Sequence, residues 1–169
     1  MDKDILNYMV KDIFYYYKDD VDVSDPEVFS LVLEGVHTTA ELLETYARQF
    51  NFPSYFGYNW DALKDSLCYL DEWMQEKRIV IIHKDMPRLE ESELRIYIRV
   101  LYEICELWRK YPDVLQMKVY FSECNKDQVG KILQDINSRL AMEQSLTEPR
   151  KTLCLIIRWY KKIIGKGDE

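Results

Sequence analysis

The chain has 169 residues, with 23 Lys and Arg against 30 Asp and Glu for a formal charge of −7, and 47% of its residues are hydrophobic. A chain of that size buries well over half of its unfolded surface, so one globular domain with extensions needs neither a disulfide nor a structural metal. The aromatic share of 14% argues against disorder. The acidic balance argues against nucleic acid and anionic lipid as main partners, because both gather Lys and Arg, and makes a basic partner the expected counterpart.

Cys68, Cys105, Cys124 and Cys154 are widely spaced with no C-x-x-C pair, which suits reduced thiols in the cytoplasm and no metal centre. The N-terminus has no basic segment followed by an apolar run, and no apolar run approaches the roughly 18 to 20 residues that span a bilayer. The expectation is a cytoplasmic protein without cofactor or membrane contact.

In chain order, Ile5, Leu6, Met9, Val10, Ile13, Phe14 and Tyr17 recur at helical spacing and predict an N-terminal helix, broken from Lys18 to Pro26. Val28–Leu33 is short, β-branched and aromatic, ending at Gly35, and predicts a strand. Thr38-Thr39 with Glu41 forms a helix-start signal before Leu42, Leu43, Tyr46 and Phe50. Pro53 to Gly57 reads as a turn, and Asn59 stands in N-cap position before a helix carrying Ala62, Leu63, Leu67, Leu70 and Trp73. Arg78–His83 is too apolar for one wet face and predicts a central strand.

After Met86-Pro87, the stripe Leu94, Ile98, Leu101, Cys105 and Trp108 predicts a long amphipathic helix. Glu90, Glu91 and Glu93 mark its N-terminal end, read as a solvated face. Met117–Phe121 predicts a third strand, and Val129, Ile132, Leu133, Ile136 and Leu140 a further helix. Leu153–Tyr160 fits a fourth strand by composition and also carries a helical stripe. Strands separated by helices imply an α/β fold, a small parallel sheet of three strands, with a fourth allowed, and helices packed on it.

Five glycines, at 35, 57, 130, 165 and 167, write neither a phosphate-cradling loop nor a dinucleotide fingerprint. His37 and His83 lie far apart, and His83 at the end of an apolar strand suits a hydrogen-bonded structural role. The tail from Pro149 to Lys166 is basic, with Arg150, Lys151, Arg158, Lys161, Lys162 and Lys166, and suits solvation or pairing with the acidic remainder.

The informative stretch runs from Phe52 to Leu67. Asp61 suits the first helical turn through the helix dipole, and Lys64 three residues on is spaced to pair with it. Asp65 has no such explanation: it lies four residues from Asp61, a like-charge spacing that costs roughly 0.2 to 0.5 kcal/mol, and Ala62, Cys68 and Tyr69 offer it no cation. Tyr55, Phe56, Tyr58 and Trp60 crowd the same turn. Either Phe56 and Trp60 anchor the turn in the core beside two wet carboxylates, or the segment is the centre of a binding interface.

The order Pro53, Tyr55-Phe56, Gly57, Asn59, Asp61-Ala62-Leu63 and Asp65 resembles the barstar family of intracellular ribonuclease inhibitors, and the strand and helix order from Val28 to Ser122 is similar to that family's fold. The resemblance implies a barstar-like domain over 28–123, with an N-terminal helical extension over 1–27 and a C-terminal extension over 124–169 packed on the same domain. It implies no enzyme, but an immunity protein that meets a basic ribonuclease or related nuclease toxin as a monomer in a 1:1 complex. The helix after the turn would plug the nuclease active site, with Asp65 in place of the RNA phosphate. Asp61, Tyr55, Asn59, Trp60 and Cys68 would surround it, and Gly57 would permit the turn. Lys64 stands where the family carries an interfacial Trp, and Glu103 or Glu106 would supply a further acidic contact.

Two other readings remain at the level of sequence. Asp61 and Asp65 can be written as an acid/base pair, although no nucleophile, metal cluster or glycine loop accompanies them. Alternatively, the fold serves as an adaptor that binds another protein or an RNA through its termini.

Overall fold

The computed structural model describes residues 13–146, with side chains through 142. The chain divides into a unit ending at Gln134 and a second beginning at Asp135. The sheet and the helices between its strands belong to the first unit, and the last helix continues from the first into the second. The N-terminal part of the expected first helix, the stretch Leu153–Tyr160, the basic tail and Cys154 lie outside the described residues.

Four strands, β1 (Tyr15–Tyr17), β2 (Val28–Leu33), β3 (Arg78–His83) and β4 (Gln116–Ser122), form one sheet in the order β1-β4-β3-β2, and every pairing is parallel. Parallel neighbours need crossovers, and helices supply them. Helices α1 (Thr39–Gln49) and α2 (Trp60–Cys68) lie between β2 and β3, and α3 (Glu91–Arg109) lies between β3 and β4. Helix α4 (Lys126–Leu146) follows β4. In register, Leu31 faces Ile81 and Ile81 faces Val119. These three are all but inaccessible to solvent, and Ile82 on the opposite face of β3 is buried too, as expected of a strand covered on both sides.

The predicted N-terminal helix does not extend to Tyr15. Tyr15–Tyr17 instead adds a strand at the β4 edge of the sheet, with Tyr15 opposite Tyr120. Tyr15 stacks on Tyr120 at 5.1 Å and Phe14 meets Phe121 edge-on at 5.3 Å. The Tyr17 hydroxyl donates to the His83 carbonyl at 2.9 Å. Three successive aromatic residues fit a pleated, half-buried surface with cross-strand ring pairs. The fourth described strand thus comes from the start of the chain.

The helix signals appear where the spacing put them. The Glu41 N–H donates to Thr38 Oγ1 at 3.1 Å while Glu41 Oε2 accepts from the Thr38 N–H at 3.2 Å, closing a capping box on α1. Leu94, Ile98, Leu101, Cys105 and Trp108 are buried along α3, which packs on α2 and β4. The Trp108 indole donates to the Leu67 carbonyl at 3.1 Å and ties α3 to α2.

One buried polar chain crosses the core. His83 Nδ1 lies 3.1 Å from the Tyr120 carbonyl, His83 Nε2 lies 2.7 Å from the Tyr97 hydroxyl, and that hydroxyl lies 2.8 Å from Tyr46 Oη. A carbonyl only accepts, so in the neutral ring Nδ1 donates to it and Nε2 accepts from Tyr97, which leaves the Tyr97 oxygen to accept from Tyr46. Burial lowers the His83 pKa to about 4, so the ring is neutral at pH 7. His83 has the structural role expected for it.

Candidate functional site

The turn before α2 is built on aromatic packing. The Phe56 N–H donates to the Pro53 carbonyl at 2.9 Å, and the buried Phe56 ring lies 4.9 Å from both Phe52 and Tyr58. Tyr58 has φ +49°, in the left-handed region that costs a side chain about 1 kcal/mol. Gly57 is not the left-handed residue of this turn. A Cβ at Gly57 would meet Asn59 Nδ2 at 3.1 Å and Ala62 Cβ at 3.7 Å, so its service is space rather than a special φ.

That space is filled by the helix cap. Asn59 Oδ1 accepts from the Ala62 N–H at 2.8 Å, and Asn59 Nδ2 donates to the Gly57 carbonyl at 3.3 Å. Helix α2 ends at Cys68, and Leu70–Glu72 forms a 3₁₀ turn where the spacing had continued the helix. Leu63 and Leu67 bury the inner face of α2.

Trp60 is half-buried. Its indole N–H donates to Glu93 Oε2 at 2.7 Å, and its ring lies 5.9 Å from Tyr97. Thr39 Oγ1 donates to the same Glu93 oxygen at 3.2 Å. Glu93 is therefore not part of a solvated face: it is a half-buried acceptor joining the N-terminal turns of α1, α2 and α3.

Asp61 and Asp65 are exposed on the outer face of α2, one turn apart, and neither carboxylate has a hydrogen bond or ion pair with any of the described residues. The predicted Asp61–Lys64 pair does not form. Lys64 Nζ pairs instead with Glu103 Oε2 of α3, and Glu103 Oε1 accepts from Arg99 Nε at 3.0 Å. Burial pushes the Glu103 carboxyl up, but the hydrogen bonds from Lys64 and Arg99 outweigh it and hold the pKa below its ordinary value. Glu106 pairs with Arg109 at 3.2 Å.

Tyr55 and Tyr58 stand out from the turn at 84% and 59% exposure. Tyr55, Gly57, Asn59, Asp61 and Asp65 thus belong to one exposed run over the turn and the outer face of α2, while Trp60, Lys64 and Cys68 are half-buried on its flank. Tyr58 was legible as one of the aromatics crowding the turn, but was not among the expected contact residues; the structure leaves it exposed. Glu93 was legible only as a helix-start carboxylate, since its two partners are 33 and 54 residues away. Among the described residues, no group of three or more His, Cys, Asp or Glu side chains is placed to hold a metal ion.

The family model described as Barstar (barnase inhibitor) matches residues 27–120, more than half of the chain. The chain belongs to the barstar family. Its members are non-enzymatic inhibitors, so barnase-inhibitor-like function, and not acid/base catalysis by Asp61 and Asp65, goes with this fold. The match takes in the whole turn and α2, along with Glu93 and Glu103, and begins after β1. No curated protein matches the chain. No helix among the described residues is long and apolar enough to cross a membrane.

Proposed function

We propose that the chain is an immunity protein that binds a barnase-like ribonuclease toxin one to one in the cytoplasm of the producing cell and blocks its active site with the outer face of α2. The observation that carries this reading is the pair Asp61 and Asp65, exposed one turn apart without a partner among the described residues, in a chain of an inhibitor family. Their mutual repulsion, roughly 0.2 to 0.5 kcal/mol in a free helix, is outweighed by attraction to the partner's cations when a cationic active site closes over them. A ribonuclease holds its RNA phosphate with cationic groups, and Asp65 takes the place of that phosphate with Asp61 beside it.

The flank supports the same use. Tyr55 and Tyr58 offer apolar surface that excludes water around the carboxylates, the arrangement that makes a truncated central charge costly. Asn59 and Gly57 fix the start of the helix, and Trp60, Lys64 and Cys68 border the contact. Long-range attraction between an acidic inhibitor and a basic enzyme speeds encounter, an effect for which barstar and barnase are themselves the reference pair.

Capture from a lysate of the source organism on immobilised wild-type chain, beside Asp65→Ala, tests the proposal. A ribonuclease retained by wild type alone, and active only after the complex is denatured, is the expected result. Retention of the same proteins by both forms would contradict it.

A further inference from the structure

Lys64 has two carboxylates within its choice. Asp61 lies three residues before it on the same helix, a spacing at which acid and base pair across the helix surface. Glu103 lies on the neighbouring α3 and is the one it takes. The reason is in the surroundings. Asp61 is exposed, where water and salt screen the attraction, whereas the Glu103 side chain keeps only 21% exposure and is already held by Arg99 at 3.0 Å. Lys64 itself remains 43% exposed on a flexible stem, so its position depends on which carboxylate is there to hold it.

We infer that Glu103 is a positioning residue for the inhibitory face: by capturing Lys64 from the next helix it keeps that ammonium off Asp61 and leaves the Asp61 and Asp65 carboxylates free for a cationic active site. This rests on the reading of α2 given above. With Glu103 neutralised, Lys64 falls back on Asp61, and the outer face of α2 presents one uncompensated carboxylate where it had two. With Lys64 also removed, the two carboxylates stand free again. Glu103 thus acts on the partner through Lys64 and not by contact.

The test that needs no partner is the ¹⁵N resonance of the Lys64 ammonium in wild type, Asp61→Asn, Glu103→Gln and the double variant. Asp61→Asn is expected to move that signal in the Glu103→Gln background and to leave it in place in wild type. Movement in both backgrounds, or in neither, overturns the inference.

Binding adds the functional half, with barnase as the probe ribonuclease. Glu103→Gln is expected to slow association about tenfold in wild type and to change little in a Lys64→Met background. A loss in both backgrounds makes Glu103 a direct contact and overturns the inference. No loss in either, while Asp65→Ala still weakens binding, overturns the inference alone. Asp65→Ala without effect, or no binding by wild type, overturns the reading of the α2 surface beneath it.

Discussion

The indole N–H of Trp60 donates to Glu93 Oε2 at 2.7 Å, which fixes the first residue of α2 to the first turn of α3. The bond is charge-assisted and half-buried, the kind worth about 1.5 to 3 kcal/mol when removed. Trp60→Phe keeps most of the ring packing on Tyr97 and loses the donor. Urea unfolding is expected to show a loss of about 1 to 3 kcal/mol, and an unchanged midpoint would make the bond incidental.

The Asn59 cap and Gly57 are coupled. Asn59→Ala is expected to cost about 1 kcal/mol by leaving the Ala62 N–H without its acceptor. Gly57→Ala brings a methyl to 3.1 Å from Asn59 Nδ2 and pushes the amide from its place. Its cost is therefore expected to shrink in the Asn59→Ala background, and equal costs in both backgrounds would show that the crowding lies elsewhere.

His83 makes stability depend on pH in one direction. Burial lowers its folded pKa to about 4 from an ordinary 6.5, so the unfolded chain takes up this proton first. The stability tied to the neutral ring is fully present above about pH 6.5 and is lost as pH falls toward 4. Between pH 6.5 and 5 the loss comes to about 2 kcal/mol. Glu103, with its lowered pKa, adds its own loss only below its ordinary 4.5. Urea midpoints at pH 7, 6 and 5 read the His83 contribution, and His83→Gln is expected to flatten it.

Much of the fold was legible because it is local. The runs Val28–Leu33 and Arg78–His83 are strands with those bounds, and Thr38 and Glu41 close the box their spacing announced. The α3 stripe needed only its period of 3.6 residues. What escaped is what depends on distant chain. Tyr15–Tyr17 carries helical spacing upstream of it, yet its partner strand lies about a hundred residues on, at Tyr120 to Ser122. Lys64 matched Asp61 on its own helix, but Glu103, less solvated and on a neighbouring helix, holds it. In the candidate site, Asp65 stood out because it lies one turn from Asp61 with no cation spaced to hold it on the helix, and that much could be read without a structure.

The central claim concerns Asp65, and RNA cleavage by the captured ribonuclease measures it most directly. Titrated with wild-type chain, cleavage is expected to stop at one equivalent. Asp65→Ala is expected to weaken inhibition by at least about thirtyfold, the about 2 kcal/mol that marks an interface hot spot; barstar and barnase are themselves a standard case of such a carboxylate. Asp135→Ala, a control on α4, is expected to change little. Superimposable curves for wild type and Asp65→Ala would contradict inhibition through the outer face of α2.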